Sequence, residues 1–173
     1  MLPGFGGRAN QAVLVQLEDA LRERGLLGLR AALPPGRPSP GLEREVEMAR
    51  TLARSDAAIR AYAGRSFGGR VLARLALEAS PRALVLLGFP IRSAARQRRL
   101  EDEAVLERLS CPTLILQGAR DPLGPIRTFQ RLAARNRRLE LQVIPGARHD
   151  FGRSQAAAVV VAAGWLAAQL ERG

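Results

Sequence analysis

The sequence Gly-Arg-Ser-Phe-Gly-Gly at positions 64–69 is the most informative stretch of the chain. It contains a G-x-S-x-G pentapeptide that lies between a short apolar segment, 57–63, and a helical run, 71–79. A serine between a strand and a helix is the arrangement of a nucleophile elbow, with glycines where the two elements approach closely. We therefore predict that Ser66 is presented on a strained turn as a nucleophile. The N–H of Phe67 then lies beside it, as one donor of an oxyanion hole.

A serine nucleophile needs a base, and the chain offers one histidine, His149. It follows the apolar segment 139–144, and parallel α/β sheets build their sites beyond the carboxyl ends of their strands. A lone histidine is more often a structural residue. Its position after a strand, and the lack of another candidate, favour His149 as the base.

The carboxylate that orients this histidine is predicted to be Asp121. It lies between Ser66 and His149 in the chain, which is the order that accompanies a nucleophile elbow, and it follows the apolar segment 112–117. Its role is to accept the Nδ1–H of the imidazole and leave Nε2 free for the serine proton. An aspartate before a proline is also a common turn residue. Asp150 is nearer to the histidine in the chain, but adjacency gives poor geometry, and we predict a structural role for it.

The second oxyanion donor is predicted in the glycine-rich segment 3–7, Pro-Gly-Phe-Gly-Gly, ahead of the first helix. We assign the N–H of Phe5, with Gly6 as the alternative. A phosphate-binding loop is the competing interpretation. The segment lacks both the Gly-Lys-Ser/Thr of a P-loop and the later glycine and acidic residue of a dinucleotide site. No cofactor and no metal is predicted, and the single cysteine, Cys111, excludes a disulfide framework or a cysteine metal cluster.

Apolar segments alternate with amphipathic runs along the chain, which predicts a mostly parallel sheet with helices on both faces. Because 173 residues suffice for one sizeable core, residues 1–173 are expected to form a single α/β domain. Asn10 is expected to cap the first helix. The predicted strands are 26–33, 58–63, 83–87, 112–117 and 139–144, and the predicted helices are 10–24, 42–54, 71–79, 101–109, 123–135 and 154–171.

The formal charge of +11 comes from 27 basic residues, all of them arginine, against 16 acidic residues. This charge raises nucleic acid as a partner, but the arginines are scattered along the chain. The densest cluster, at 92–99, has no aromatic residues interleaved for base stacking, so we expect a solvated loop and no nucleic-acid partner. No apolar run approaches the length of a membrane span, and we expect a cytoplasmic protein with no membrane partner.

These motifs together resemble the α/β-hydrolase superfamily, and more narrowly its small dienelactone-hydrolase-related group, which includes the hydrolase-like domains of testis-expressed proteins and of chromatin NSL-complex subunits. The resemblance implies Ser66, Asp121 and His149 as a catalytic triad and the 3–7 segment as the oxyanion loop. It covers almost the whole chain, and its most specific part is the 118–124 block. The matching pieces are 3–7, 64–70, 86–90, 111–124 and 146–151.

Two departures from that family concern the amino-terminal end. Family members commonly have His-Gly where this chain has Pro3-Gly4. In the family the oxyanion loop leaves a strand that lies between two others, and earlier strands precede it. Here that strand is reduced to residues 1–2, so the 26–33 segment would face an empty slot beside the 58–63 strand. Either the chain starts too late, or the sheet closes, or another chain fills the slot; we expect the first.

The sequence therefore predicts a serine hydrolase of small carboxylic esters or thioesters that works through an acyl-enzyme. The segment 89–109 is too short for a lid domain, so we expect an open pocket. The alternative is a hydrolase-like scaffold that binds partners or regulates without turnover. A small ester is the expected partner, and self-association into a homo-oligomer is compatible with the sequence.

Overall fold

The computed structural model describes residues 1–172 and contains a four-stranded parallel sheet between two layers of helices. The predicted α/β class is confirmed. The strands are β1, Ala61–Arg65; β2, Ala83–Leu87; β3, Thr113–Gly118; and β4, Leu139–Ile144, and they lie side by side in chain order. The helices are α1, Ala12–Arg22; α2, Glu43–Ser55; α3, Phe67–Glu78; α4, Leu100–Arg108; α5, Ile126–Arg135; and α6, Gln155–Glu171, which follows a short 3-10 turn, Gly152–Ser154.

Burial on both faces explains why the central strands are continuously apolar. All five residues of β2 are buried. Leu84 and Leu86 belong to a core with α2, α3, α4 and α5, whereas Val85 and Leu87 belong to a second core with α1 and α6. The sheet therefore separates two cores, and because the strands are parallel, their carboxyl ends share one edge.

The boundaries predicted for the elbow were too far from Ser66. The apolar pattern predicted a strand over 58–63 and a helix over 71–79, but β1 continues to position 65 and α3 begins at 67. Glycine carries no hydrophobic signal, so a pattern of apolar residues does not extend across this stretch. The strand and the helix nevertheless extend across it, so only Ser66 separates β1 from α3.

At the junction of β1 and α3, the two elements are in contact through backbone atoms and not through side chains. A Cβ on Gly64 would lie 2.6 Å from the Cα of Gly69, and a Cβ on Gly68 would lie 2.5 Å from the carbonyl oxygen of Pro3. The N–H of Gly68 donates to that same Pro3 carbonyl at 2.9 Å. The amino-terminal segment consequently packs on the backbone of α3, a contact that only glycine permits.

The predicted strand over 26–33 is wrong, since no strand forms between α1 and α2. The segment pairs with Met1, which donates to the carbonyl of Leu29 at 2.6 Å and accepts from the N–H of Ala31 at 3.1 Å. A strand needs a hydrogen-bonded neighbour along its length, and the two residues at positions 1–2 are too short to provide one.

The slot expected beside β1 is present. Leu2 forms a single parallel bridge with Gly64 on the open edge of the strand. Next to this bridge, between β1 and residues 26–31, a cavity of about 460 Å³ remains. The sheet therefore does not close, and the second of the three alternatives is wrong.

The helices other than α3 lie within three residues of their predicted bounds. Asn10 does not cap α1. Gln11 occupies that position without a capping bond, because its side chain is engaged with the loop before the helix. Among residues 1–172, no helix combines the length and the apolar character needed to cross a bilayer.

We predict that Gly68→Ala lowers the free energy of unfolding by about 1–3 kcal/mol, because the added Cβ separates α3 from the amino-terminal segment. Gly164→Ala in α6 is the matched control. Nothing lies within 4 Å of a Cβ there, so it should raise the free energy of unfolding by about 0.5–1 kcal/mol through helix propensity. Urea unfolding followed by circular dichroism measures both values, and equal effects would contradict the proposed contact.

Candidate active site

Ser66 lies on the turn between β1 and α3, at the carboxyl edge of the sheet. Its φ of 49° and ψ of −110° fall outside the regions that residues other than glycine ordinarily adopt, so the turn is strained. The conformation is held on both sides: the N–H of Ser66 donates to the carbonyl of Leu87 at 2.9 Å, and its carbonyl accepts from the N–H of Arg70 at 3.2 Å. The side chain is thereby directed at the loop that follows β4.

His149 lies in that loop and makes a hydrogen bond at each ring nitrogen. Nε2 lies 2.9 Å from Oγ of Ser66, and Nδ1 lies 2.7 Å from Oδ2 of Asp121. Since a carboxylate only accepts, Nδ1 carries the proton of the neutral imidazole and Nε2 presents its lone pair to the serine hydroxyl. The structure thus brings the three side chains predicted for the triad into one chain of hydrogen bonds.

Asp121 is buried in the turn after β3, with 5% of its surface exposed. Its Oδ2 also accepts from Nε2 of Gln117 at 2.5 Å, and its Oδ1 accepts from the N–H of Leu123 at 2.8 Å. These two donors fix the orientation of the carboxylate toward the imidazole. Asp150, the nearer carboxylate in the chain, is exposed and makes no hydrogen bond with His149 in the part of the chain that the structure describes.

Close packing of the two loops beyond β3 and β4 sets the distance between the carboxylate and the imidazole. The loop after β4 passes over Gly118, where a Cβ would lie 2.5 Å from the carbonyl oxygen of Arg148. The N–H of Arg120 donates to the carbonyl of Ala147 at 2.8 Å, which ties the two loops together. A glycine at the end of β3 is therefore needed for the histidine loop to reach the acid.

Backbone N–H groups near Ser66 are available to a ligand. Those of Phe67, the first residue of α3, and of Phe5 and its alternative Gly6 make no hydrogen bond with any group of residues 1–172. The loop of Phe5 abuts the nucleophile, since a Cβ on Gly4 would lie 3.5 Å from the Cβ of Ser66. Gln11 anchors this loop by accepting the N–H of Gly4 at 3.0 Å. The rings of Phe5 and Phe67 meet edge to face, with centroids 5.8 Å apart.

Arg65 contacts the imidazole and was not among the predicted site residues. Its buried guanidinium donates from Nη2 to the carbonyl of His149 at 2.7 Å and places Nη1 3.2 Å from Nε2. It also lies 5.9 Å from the ring centroid of Phe151. Burial lowers the pKa of this guanidinium, and the charges of Asp121 and Asp150 oppose that shift. Its role depends on His149, which is 84 residues away in the sequence, so no local pattern could have identified it.

A buried ion cluster fastens the start of α3 to α4. Asp102 is fully buried and accepts from Nε of Arg70 at 2.7 Å and from Nη1 of Arg74 at 2.6 Å. The guanidinium of Arg70 also lies 5.9 Å from the ring centroid of Phe67. Phe67 is thus held by neighbours on the helix as well as by the ring of Phe5, and the position of its N–H is fixed.

Comparison with known proteins shows which family the sequence matches. A family model described as an alpha/beta hydrolase domain matches residues 32–168. A search of curated proteins found no match to the sequence.

Solved structures share the fold at low sequence identity. Est1E from Butyrivibrio proteoclasticus has a TM-score of 0.80 at 17% identity, and the match covers 98% of this chain and 86% of Est1E. A monoacylglycerol lipase from Paleococcus ferrophilus has a TM-score of 0.80 at 14% identity, covering 97% and 93%. A Xanthomonas campestris structure described as an a/b serine hydrolase without lid has a TM-score of 0.65 at 20% identity, covering 99% and 80%.

We predict that Arg65→Met loosens the histidine loop, because it removes a charge-assisted hydrogen bond to the carbonyl of His149 while it keeps an apolar stem of similar length. Amide hydrogen exchange of residues 146–151 should become about ten- to a hundredfold faster. Arg131→Met, whose guanidinium pairs with Glu103 far from this loop in the chain, is the control and should leave that exchange unchanged. Unaltered exchange in both variants would contradict the anchoring contact.

Proposed function

The chain belongs to the alpha/beta hydrolase family, and on that premise we propose that it is a serine hydrolase that cleaves small carboxylic esters or thioesters. The observation that carries the proposal is the hydrogen-bond chain from Ser66 through His149 to Asp121, with distances of 2.9 and 2.7 Å. A nucleophile, a base and an orienting carboxylate in this sequence of contacts suit acyl transfer.

In the first half of the reaction, Nε2 of His149 removes the proton of the Ser66 hydroxyl as Oγ bonds to the carbonyl carbon of the substrate. The carbonyl oxygen becomes negatively charged and accepts hydrogen bonds from the free N–H groups of Phe67 and Phe5. The imidazolium then gives its proton to the departing alcohol or thiol, and the acyl group stays on Ser66 as an ester.

In the second half, a water molecule takes the place of the leaving group. His149 removes a proton from it, the hydroxide adds to the acyl carbon, and the carboxylic acid leaves as Oγ regains its proton. In both halves the charge of Asp121 stabilises the imidazolium. Because Gln117 and Leu123 hold that carboxylate, it needs no rearrangement when the imidazole becomes charged.

An open site favours small or exposed acyl groups. Within residues 1–172, the segment 88–99 between β2 and α4 forms no helix or strand that extends over the serine. Phe5 is 68% exposed beside the nucleophile, and its ring, which packs edge to face on that of the buried Phe67, offers an apolar surface to one side of an ester. The resemblance to a hydrolase described as lacking a lid supports this proposal.

A catalytically weak scaffold is the second candidate, and one observation favours it. β1 carries the elbow but lacks a neighbour along the first part of its outer edge, where the 460 Å³ cavity lies. A strand paired on one side over half its length is less firmly fixed than a central strand. Catalysis requires a nucleophile held in place, so turnover would then be low.

Labelling with a fluorophosphonate probe tests the serine. We expect covalent labelling of the unmodified chain, none for Ser66→Ala, and strongly reduced labelling for His149→Ala. With p-nitrophenyl acetate, Asp121→Asn should lower kcat by about 10³–10⁴-fold, since the asparagine selects the wrong imidazole tautomer. Asp150→Asn is the control and should retain activity. Folded protein that takes up no label would refute the enzyme and favour the scaffold.

We predict that Gln11→Ala lowers kcat about tenfold with little change in KM, because it releases the loop that carries the Phe5 donor. Gln16→Ala, on an exposed position of the same helix, is the matched control and should leave kcat unchanged. Steady-state kinetics on a p-nitrophenyl ester measures both. A rise in KM at constant kcat would show that the loop binds substrate but does not stabilise the transition state.

A further inference from the structure

The guanidinium of Arg65 lies against the atom that carries the proton in the proposed reaction. Its Nη1 lies 3.2 Å from Nε2 of His149, and its Nη2 donates to the carbonyl of the same histidine at 2.7 Å. Nε2 has a second neighbour, Oγ of Ser66, at 2.9 Å. Because the neutral imidazole offers one lone pair at Nε2, an N–H of Arg65 and the hydroxyl of Ser66 share it.

Packing keeps Arg65 in this position. The residue is buried, with 7% of its surface exposed, and its guanidinium lies 5.9 Å from the ring centroid of Phe151. Gly88, directly after β2, bounds it on another side, since a Cβ there would lie 3.2 Å from Nη1 of Arg65 and 3.0 Å from the carbonyl oxygen of His149. A guanidinium packed in this way cannot turn from the imidazole without losing its hydrogen bond to that carbonyl.

Charges of opposite sign lie at the two ring nitrogens of the imidazole. The carboxylate of Asp121 contacts Nδ1, and the guanidinium of Arg65 contacts Nε2. Burial lowers the pKa of this guanidinium, and the charges of Asp121 and Asp150 oppose that shift. Since an arginine side chain keeps its proton in proteins, the charge at Nε2 is permanent. Asp121 therefore stabilises a protonated imidazole, whereas Arg65 destabilises it.

The two proton transfers of acylation respond to this cation in opposite ways. When Nε2 takes the proton of Ser66, the new N–H faces an N–H of Arg65. When Nε2 gives that proton up, the bond from the acyl carbon to the leaving oxygen breaks, and the oxygen keeps the electron pair and receives the proton. Nε2 then regains its lone pair and again accepts from Arg65. The cation thus hinders the first transfer and favours the second.

We propose, as an inference that rests on the proposed hydrolase function, that Arg65 is a positioning residue that acts through His149 on protonation of the leaving group and suits the site to esters of aliphatic alcohols. An alkoxide departs slowly unless it receives a proton, because alcohols hold their proton far more tightly than thiols or phenols do. Thiolates and phenolates leave without this help. Only an aliphatic leaving oxygen therefore depends on the second transfer, which Arg65 favours.

The dependence of hydrolysis on the leaving group tests this role. Cyclohexyl acetate and phenyl acetate share the acyl group and have similar size, but their leaving oxygens differ in basicity. A pH-stat measures both reactions through the acid that they release. For the unmodified chain we expect kcat/KM values within about tenfold of each other, because the imidazolium protonates the aliphatic oxygen as it leaves. A larger preference for phenyl acetate would overturn the proposal without any variant.

Three variants assign the effect to the charge of Arg65. Arg65→Met should lower the ratio of kcat/KM for cyclohexyl acetate to that for phenyl acetate at least about tenfold. A loosened histidine loop alone lowers both values by the same factor and leaves the ratio unchanged. Arg65→Lys keeps the positive charge and should restore most of the ratio. Arg131→Met, which removes an arginine that pairs with Glu103, is the control and should not alter it.

The outcomes separate this role from the hydrolase function. If Arg65→Met hydrolyses the esters at an unchanged ratio, the role of Arg65 is refuted and the hydrolase function stands. An equal fall of the ratio in Arg65→Lys would show that the shape of the side chain and not its charge matters, which also refutes the role. If the unmodified chain hydrolyses neither ester, the proposed function fails, and this role fails with it.

Discussion

The close backbone approach of β1 and α3 is the constraint on which the candidate site depends. Gly64 and Gly69 leave no space for a Cβ between strand and helix, so the chain must turn within one residue, Ser66. A residue in that position has a positive φ, which directs its side chain out of the sheet. The same contact puts Gly68 against Pro3, and this brings the loop of the second oxyanion donor to the nucleophile.

Two arginine side chains add to the contacts made by the glycines, one through an ion pair and one through a hydrogen bond. Arg70 ties the first turn of α3 to the buried Asp102, and Arg65 ties the end of β1 to the carbonyl of His149. A guanidinium holds several acceptors at fixed angles, so each arginine joins two elements that share no backbone hydrogen bonds. The large positive charge of the chain is therefore partly structural, with some arginines buried at the site and others exposed.

Most of the candidate site could be predicted from the sequence, because each signal was a short motif or left a single candidate residue. The pentapeptide placed Ser66, the lack of a second histidine singled out His149, and chain order selected Asp121. The structure brings these three together, and β2 and β4 have the predicted bounds. Arg65 and the 26–33 segment could not be predicted in the same way, since the role of each depends on a neighbour distant in sequence. Whether an apolar run becomes a strand depends on a partner strand, which periodicity does not reveal.

β1 lies between the cavity and the nucleophile, and its two halves differ in their pairing. The second half is paired on both edges, with β2 and with Leu2, and it ends at the nucleophile; the first half is paired only with β2. β1 has five residues, so its first residue and Ser66 are joined by about 17 Å of extended backbone. The pairing of the outer edge of β1 and the position of Ser66 are in this way linked through one backbone.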